Sequence, residues 1–409
     1  PYMYFRTAPA TRKPFTLIAG GDSRRTSSAL FGVNDQARRR GFELVAKIRP
    51  LAVVFSGDFM DEGVYGEWLI WMDEWQLTKS ADGRMYPLIP SHGNHENQDR
   101  RMLSKVFGTS DLGAANGWGT FGALSIGGDL MRIFTLNSSL DPTVSASFQD
   151  NTIGYNDLIA EPNCDPADLD PEVIGTPDIC ASPRGDEDIS VNDAWATQTA
   201  WLQDQLAAAV ADGVLWKLAN YHHPLRPHES GKDDGVGRVR AWGPLFDTYD
   251  LDLAIESDTH NLKYTLPIVP GDNLSDARPG APVDEGFVEA DWANGRHGTV
   301  FIGEGSWGAP KRAANDGKQW TLASDSVWQF KLLQVDETEL TVHTVLFEES
   351  SYPNGVHADV DALTQAAQDA DPLAMPAGLD LWRPFEDDLA LTLRQPGAVG
   401  EPTFLEVTP

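Results

Sequence analysis

Pro90–Asp99 reads "PSHGNHENQD", directly after the apolar run "MYPLI". His, Asn and Glu are poor strand formers, and a buried polar group without a partner costs about 2–7 kcal/mol. A chain that places Gly-Asn-His-Glu at the end of a buried strand therefore has a use for those side chains there. The same arrangement occurs upstream, where "FTLIAGGD" (15–22) and "LAVVFSGD" (51–58) are short apolar runs ending in Gly-Asp. It occurs again downstream in "VLWKLANYHHP" (214–224) and "LDLAIESDTHN" (251–261).

Between these runs lie helical patterns. "NDQARRRGFELVAKIRP" (34–50) has Asn34 as an expected N-cap and Pro50 as a stop, "YGEWLIWMDEWQL" (65–77) reads as amphipathic, and "DAWATQTAWLQDQLAAAVADG" (193–213) ends at a glycine. Strands alternating with helices predict βαβ units around a largely parallel sheet. "TFGALSIGGDLMRIFTLNS" (120–138) reads as a hairpin turning at Gly127-Gly128, and 326–347 as a second one turning near Asp336-Glu337. Residues 141–190 are an acidic, Pro-rich insertion without a period, and 351–409 read as a C-terminal extension.

Ligands of open α/β sheets gather beyond the carboxyl ends of the strands. Asp22, Asp58, Asn94-His95, His222-His223 and Asp258 with His260 all stand at such ends. One Gly-Asp is a common turn and one His is usually structural; the whole series in order is harder to explain that way. "GGDSR", "SGDFMDEG", "HGNHEN", "YHHP" and "ESDTHN" resemble the motif series of calcineurin-like metallophosphoesterases. The purple acid phosphatase-like branch is the nearest match, because "FIGEGSWGAP" (301–310) resembles its glycine-rich segment. The resemblance covers residues 14–350 and implies a four-layer α/β/β/α sandwich of two mixed sheets flanked by helices. It also implies that "YFRTAP", within a linker over 1–13, is the exit from a missing amino-terminal fibronectin-like domain. The chain begins at Pro1 without Met and is read as a processed or trimmed form.

What the resemblance implies chemically is hydrolysis of a small phosphate ester, a monoester first, by a hydroxide held between two metal ions. A phosphodiesterase acting on nucleotides or small diesters and a degenerate, non-catalytic cation-binding module are the alternatives. Asp58 would bridge the metals, Asp22 and His260 complete the first, and Asn94 and His222 serve the second, with Asp258 in the place of an expected His. His95 would be a general acid or a phosphate-orienting donor, or a mere support of Asn94. His223 and His228 are possible metal or substrate contacts. The ions are divalent or trivalent: manganese, iron, magnesium, zinc or calcium.

The motifs depart from the family at defined points. Arg24 stands where many members have a His; it cannot ligate a metal but suits bidentate phosphate recognition, or a salt bridge. Asp61 replaces the tyrosine of purple acid phosphatases and is a further possible ligand. Asp258 makes the second site oxygen-rich, favouring harder cations over zinc, unless it accepts a hydrogen bond from a ligating histidine such as His222.

Of 409 residues, 61 are acidic and 31 basic, a net charge of −30 that argues against a nucleic-acid polymer as partner. No apolar run reaches the about 18 residues of a membrane span. The resemblance points to a secreted or periplasmic protein. In that setting Cys164 and Cys180 are expected to form a disulfide within the insertion, worth about 3 kcal/mol in the chain-entropy account, rather than remain two thiols. Thiol titration of the unfolded, unreduced chain is expected to find none; two free thiols would remove the bridge and much of the argument for export.

Overall fold

The run Phe15–Gly20 forms strand β1, in which Leu17 and Ala19 face one way and Ile18 the other, all fully buried. A strand apolar on both faces must lie inside a layered structure. The computed structural model describes residues 2–24, 31–61, 65–98, 103, 106–107, 121–143, 191–232, 234–270, 287–289, 298–315, 318, 320–383 and 390–395. Cys164, Cys180 and most of the 141–190 insertion lie outside them.

After β1 come β2 (Ala52–Phe55), β3 (Leu88–Pro90), β4 (Gly122–Ile126), β5 (Met131–Thr135) and β6 (Trp216–Asn220). Then follow β7 (Leu253–Ile255), β8 (Leu262–Thr265), β9 (Ile268–Pro270), β10 (Phe287–Glu289) and β11 (Val300–Gly303). The last are β12 (Thr321–Asp325), β13 (Gln329–Val335), β14 (Glu339–Leu346) and β15 (Leu391–Arg394). One large sheet has the order β15-β14-β13-β1-β2-β3 and the other β12-β8-β11-β7-β6-β5-β4, while β9 and β10 pair as a separate two-stranded ribbon. Strands β1, β2 and β3 run parallel, as do β5, β6, β7 and β11, while hairpins add antiparallel edges; both sheets are mixed.

The period of two sorts the core into layers. Leu17, Ala19, Leu333 and Val342 of the first sheet pack against Ile133, Leu218, Leu253 and Ile302 of the second. On its outer face the first sheet offers Ile18, Val53, Phe55 and Leu332 to α1 (Phe31–Ile48) and α2 (Tyr65–Trp75). The second sheet presents Phe134, Ala219 and Ala254 to α3 (Val191–Ala211), α4 (Val236–Ala241) and α5 (Gly243–Thr248). Helix, sheet, sheet and helix are thus stacked as the motifs implied.

Local details differ from the sequence reading. Helix α1 starts at Phe31, three residues before the expected cap Asn34. Helix α2 buries Trp68 and Trp71 but leaves Leu69, Ile70 and Met72 exposed, so its apolar surface is wider than one face. The glycine hairpin turns where expected, with Gly127 and Gly128 at φ 72° and 69°. Described residues after 350 join the domain: β15 extends the first sheet at β14, and Trp382 packs into the core between the sheets. The Tyr4 backbone bridges to Arg84, tying the N-terminal segment to the first sheet's side of the molecule.

Lys331 on β13 points into the inter-sheet core, its Nζ 4.2 Å from the Tyr264 ring centroid and donating to Thr344 Oγ1 at 2.8 Å. Burial pushes its pKa well below the usual lysine value. The unfolded chain therefore binds the proton more tightly, and stability rises with pH up to the unfolded value of about 10.4. Lys331→Met is expected to flatten that rise and to increase stability at pH 7, read as urea midpoints between pH 6 and 10; an unchanged slope would mean that another group carries it.

Candidate metal centre

The parallel strands β1, β2, β6 and β7 are followed at once by Asp22, Asp58, His222 and Asp258, where the chain turns out of the sheets. At several of these turns the backbone is left-handed: Asp22 has φ 57°, Asp58 56°, Asp258 72° and His260 56°. Such a conformation costs a non-glycine residue about 1–2 kcal/mol, least for Asp and Asn. Loops interlock beyond the strands through Asp22 N–H to Gly57 O at 3.0 Å and Ser23 N–H to Asp58 O at 3.0 Å. Glycine is required where they touch. A Cβ on Gly93 would lie 2.3 Å from Asp58 Oδ1, and one on Gly57, at φ 87°, would lie 2.5 Å from Gly93 N.

The geometry has two halves that meet at Asp58. In one, His260 Nε2 lies 3.1 Å from Asp22 Oδ1, and Asp22 Oδ2 accepts from the Asp258 amide at 2.8 Å. In the other, His222 Nε2 lies 3.1 Å from Asn94 Oδ1, 3.3 Å from Asp58 Oδ1 and 3.9 Å from Asp258 Oδ1. Ligand-capable atoms of Asp22, Asp58 and His222 fall within 4.8 Å of one another, as do those of His222, His223 and Asp258.

The histidine tautomers are set from behind. His222 Nδ1 bonds to Ser56 O at 2.8 Å and His260 Nδ1 to Pro310 O at 2.9 Å. A carbonyl only accepts, so each Nδ1 carries a hydrogen and each Nε2 turns into the cluster, as ligating imidazoles require. The Asp22 Oδ1 atom is buried and accepts no hydrogen bond. Burial opposes protonation of His222, yet Asp58 and Asp22 push its pKa up to about 10. Burial likewise opposes ionisation of Asp58, but His222, His95 and Arg24 hold it well below the usual carboxylate range. A buried oxygen lacking a donor, imidazole nitrogens turned inward and an excess of carboxylate fit cations, and oxygen-rich donor sets suit hard ones.

Arg24 does not stand among the ligand atoms. Its Nη1 pairs with Asp61 Oδ1 at 2.6 Å and its Nε lies 3.8 Å from Asp58 Oδ2. The two departures from the family pattern, at positions 24 and 61, are thus one ion pair. His95 is 24 % exposed, with Nδ1 bonded to the Asp61 carbonyl and Nε2 3.7 Å from Asp58 Oδ2. His223 lies beside His222, its Nδ1 3.1 Å from Ser138 Oγ. His228 turns to Thr321 Oγ1 at 2.6 Å and packs its ring on Trp320. Asp258 is not held by His222 Nδ1, which Ser56 occupies; its Oδ1 takes Lys232 Nζ at 2.6 Å.

Sequence reading left two supports without a role. Glu96, the last residue of Gly-Asn-His-Glu, accepts the amides of Asp58 at 3.0 Å, Phe59 at 2.9 Å and Gly93 at 2.7 Å, clamping two ligand loops together. Burial and nearby Asp58 push its carboxyl up to about 7 against those donors. Behind Asp258 and His260, buried Lys263 pairs with Glu256 and Glu304, while Glu256 also accepts from Tyr221 at 2.6 Å. Glu96 was visible within its motif; the Lys263 network joins three strand ends and had no local signal.

Residues 33–262 match the family model described as calcineurin-like phosphoesterase. An uncharacterized protein of Mycobacterium tuberculosis is 23 % identical over 316 residues, 75 % of this chain and 53 % of that protein. The chain thus spans about half the length of the curated relatives it matches. A solved structure of PhoD superposes with a TM-score of 0.51 at 9 % identity, covering 98 % of this chain and 73 % of that one, a likeness of fold. The purple acid phosphatase of yellow lupin (Lupinus luteus) seeds gives 0.49 at 13 % identity, covering 83 % and 52 %.

Glu96→Ala is expected to strand the amide donors of Asp58, Phe59 and Gly93, at about 1–3 kcal/mol for each buried group left unsatisfied. The check is the urea midpoint together with equilibrium manganese binding. Loss of both is expected; unchanged values would show that Glu96 does not hold the loops.

Proposed function

Because the chain belongs to the calcineurin-like phosphoesterase family, we propose that it is a dinuclear hydrolase of small phosphate monoesters. The observation that carries this reading is the pair of inward-facing imidazoles, each locked by a backbone carbonyl and turned to a buried carboxylate, His222 to Asp58 and His260 to Asp22. Asp22, His260 and Asp58 would hold one metal; Asp58, Asn94, His222 and Asp258 would hold the other. When bound, the ions supply Lewis-acid activation of water and of the phosphoryl oxygens.

The remaining roles belong to the chain. Arg24, fixed by Asp61 beside Asp58, presents its guanidinium to the phosphoryl oxygens, where charge-assisted, paired hydrogen bonds suit that geometry. His95, with Nδ1 tied to the Asp61 carbonyl and its ring partly exposed, would give the departing alcohol its proton from Nε2, a role that requires the imidazolium form. The charge of −30 disfavours anionic polymers and leaves small esters as the substrate class.

Metal content and a panel of phosphate monoesters and diesters test the proposal together. About two transition-type ions per chain with monoester turnover is the expected result. Diester turnover alone would move the substrate class, and no bound ion with no turnover would leave a degenerate module. His95→Ala is expected to lower kcat by roughly 10²–10⁴-fold without loss of metal, and less for esters of acidic phenols, whose leaving groups need no proton. An equal loss across leaving groups would instead assign His95 to orienting the phosphate.

A further inference from the structure

The second half of the cluster contains a fixed cation that the family motifs do not anticipate. Lys232 Nζ lies 2.6 Å from Asp258 Oδ1, the same oxygen that stands 3.9 Å from His222 Nε2. At that separation the two side chains form a lysine–carboxylate ion pair.

Lys232 is not a loose surface side chain that happens to meet an acid. It sits in the loop between β6 and α4, whose ends are pinned by Gly235 N–H to Leu225 O at 2.9 Å and by Arg226 Nη1 to Asp234 Oδ2 at 2.6 Å. Within the loop, the Lys232 amide donates to Glu229 O at 3.0 Å and the Ser230 amide to Asn315 Oδ1 at 2.9 Å. From the other side Arg312 Nη1 holds the Asp258 carbonyl at 3.0 Å. Both partners of the ion pair are therefore delivered by pinned backbone, and the Lys232 side chain is 24 % exposed.

We propose that Lys232 sets the affinity of the second metal site, so that the two sites fill unequally. This rests on the dinuclear reading above. A carboxylate oxygen engaged by an ammonium is a poorer ligand, and the ammonium repels an incoming cation at close range. Asp22 Oδ1 faces His260 Nε2 at 3.1 Å and Asp22 Oδ2 accepts from the Asp258 amide at 2.8 Å, so neither Asp22 oxygen is engaged by an ammonium. Arg24 lies beside Asp58, which both sites would share, whereas Lys232 touches only Asp258, so the second site alone would bind against Lys232.

The test is calorimetric titration of the chelator-treated full chain with manganese(II), in wild type, Lys232→Gln, Lys232→Arg and Asn94→Ala. Wild type is expected to bind in two steps at least tenfold apart, with Asn94→Ala removing the weaker one and so identifying it. Lys232→Gln is expected to tighten the weaker step at least tenfold and leave the stronger unchanged, whereas Lys232→Arg keeps the wild-type pattern. A thermal midpoint matching wild type checks that each variant is folded. Two wild-type steps with an unaltered weaker step in Lys232→Gln would overturn the proposal and leave the dinuclear reading standing. No manganese binding in wild type would overturn both.

Discussion

Three carboxylates, Asp22, Asp58 and Asp258, are buried around one point, and that crowding of negative charge constrains everything near it. Two such charges about 4 Å apart repel by about 4 kcal/mol at an effective dielectric of 20. Without metal the strain is relieved by protons and fixed cations: His222 with a raised pKa, Arg24 beside Asp58, and Lys232 on Asp258. Metal ions would enter the same electrostatic position. The cluster is therefore acidic enough to attract cations and already compensated enough to fold before they arrive.

Holding the carboxylates there demands backbone geometry that the strands alone do not supply. Left-handed turns at Asp22, Asp58, Asp258 and His260 cost conformational energy, and such conformations persist where surrounding structure over-determines them. Glu96 does this for the Asp58 and Gly93 loops by accepting their amides. The Glu256–Lys263–Glu304 network does it for the segment carrying Asp258 and His260, where Glu304 also accepts from Thr259. The glycine-rich segment then closes over the first loop, with Trp307 N–H on Gly21 O at 3.0 Å and Ala309 N–H on Asp22 O at 2.9 Å.

The two sheets meet at the same place. Ser56 Oγ on β2's exit donates to Asn220 Oδ1 at the end of β6 at 2.7 Å, and His222 reaches back to the Ser56 carbonyl. Asp58 belongs to the first sheet and its histidine neighbour His222 to the second. The candidate metal centre is thus a seam between sheets, with the buried apolar layer of Leu17, Leu218 and Ile255 beneath it. A change in how the sheets pack would be felt at the site as a change in the distance between these partners.

The period-two runs ending in Gly-Asp, Asn-His and His-His were legible in the sequence because strand periodicity and strand-end chemistry are local properties. From them follow the layered α/β class and the set of candidate ligands. What tertiary structure alone decided is how side chains far apart in the chain pair. Arg24 takes Asp61, so both depart from the family pattern together; Asp258 takes Lys232 instead of His222; and Glu96 braces two loops rather than facing solvent. The same limit hid β8, β12 and the edge strand β15, whose short or weakly patterned sequences acquire strand geometry from the neighbours that supply their hydrogen bonds. Periodicity shows which residues must be buried, but the partner of a buried charge is chosen by the three-dimensional arrangement of strand ends, which no short window of sequence contains.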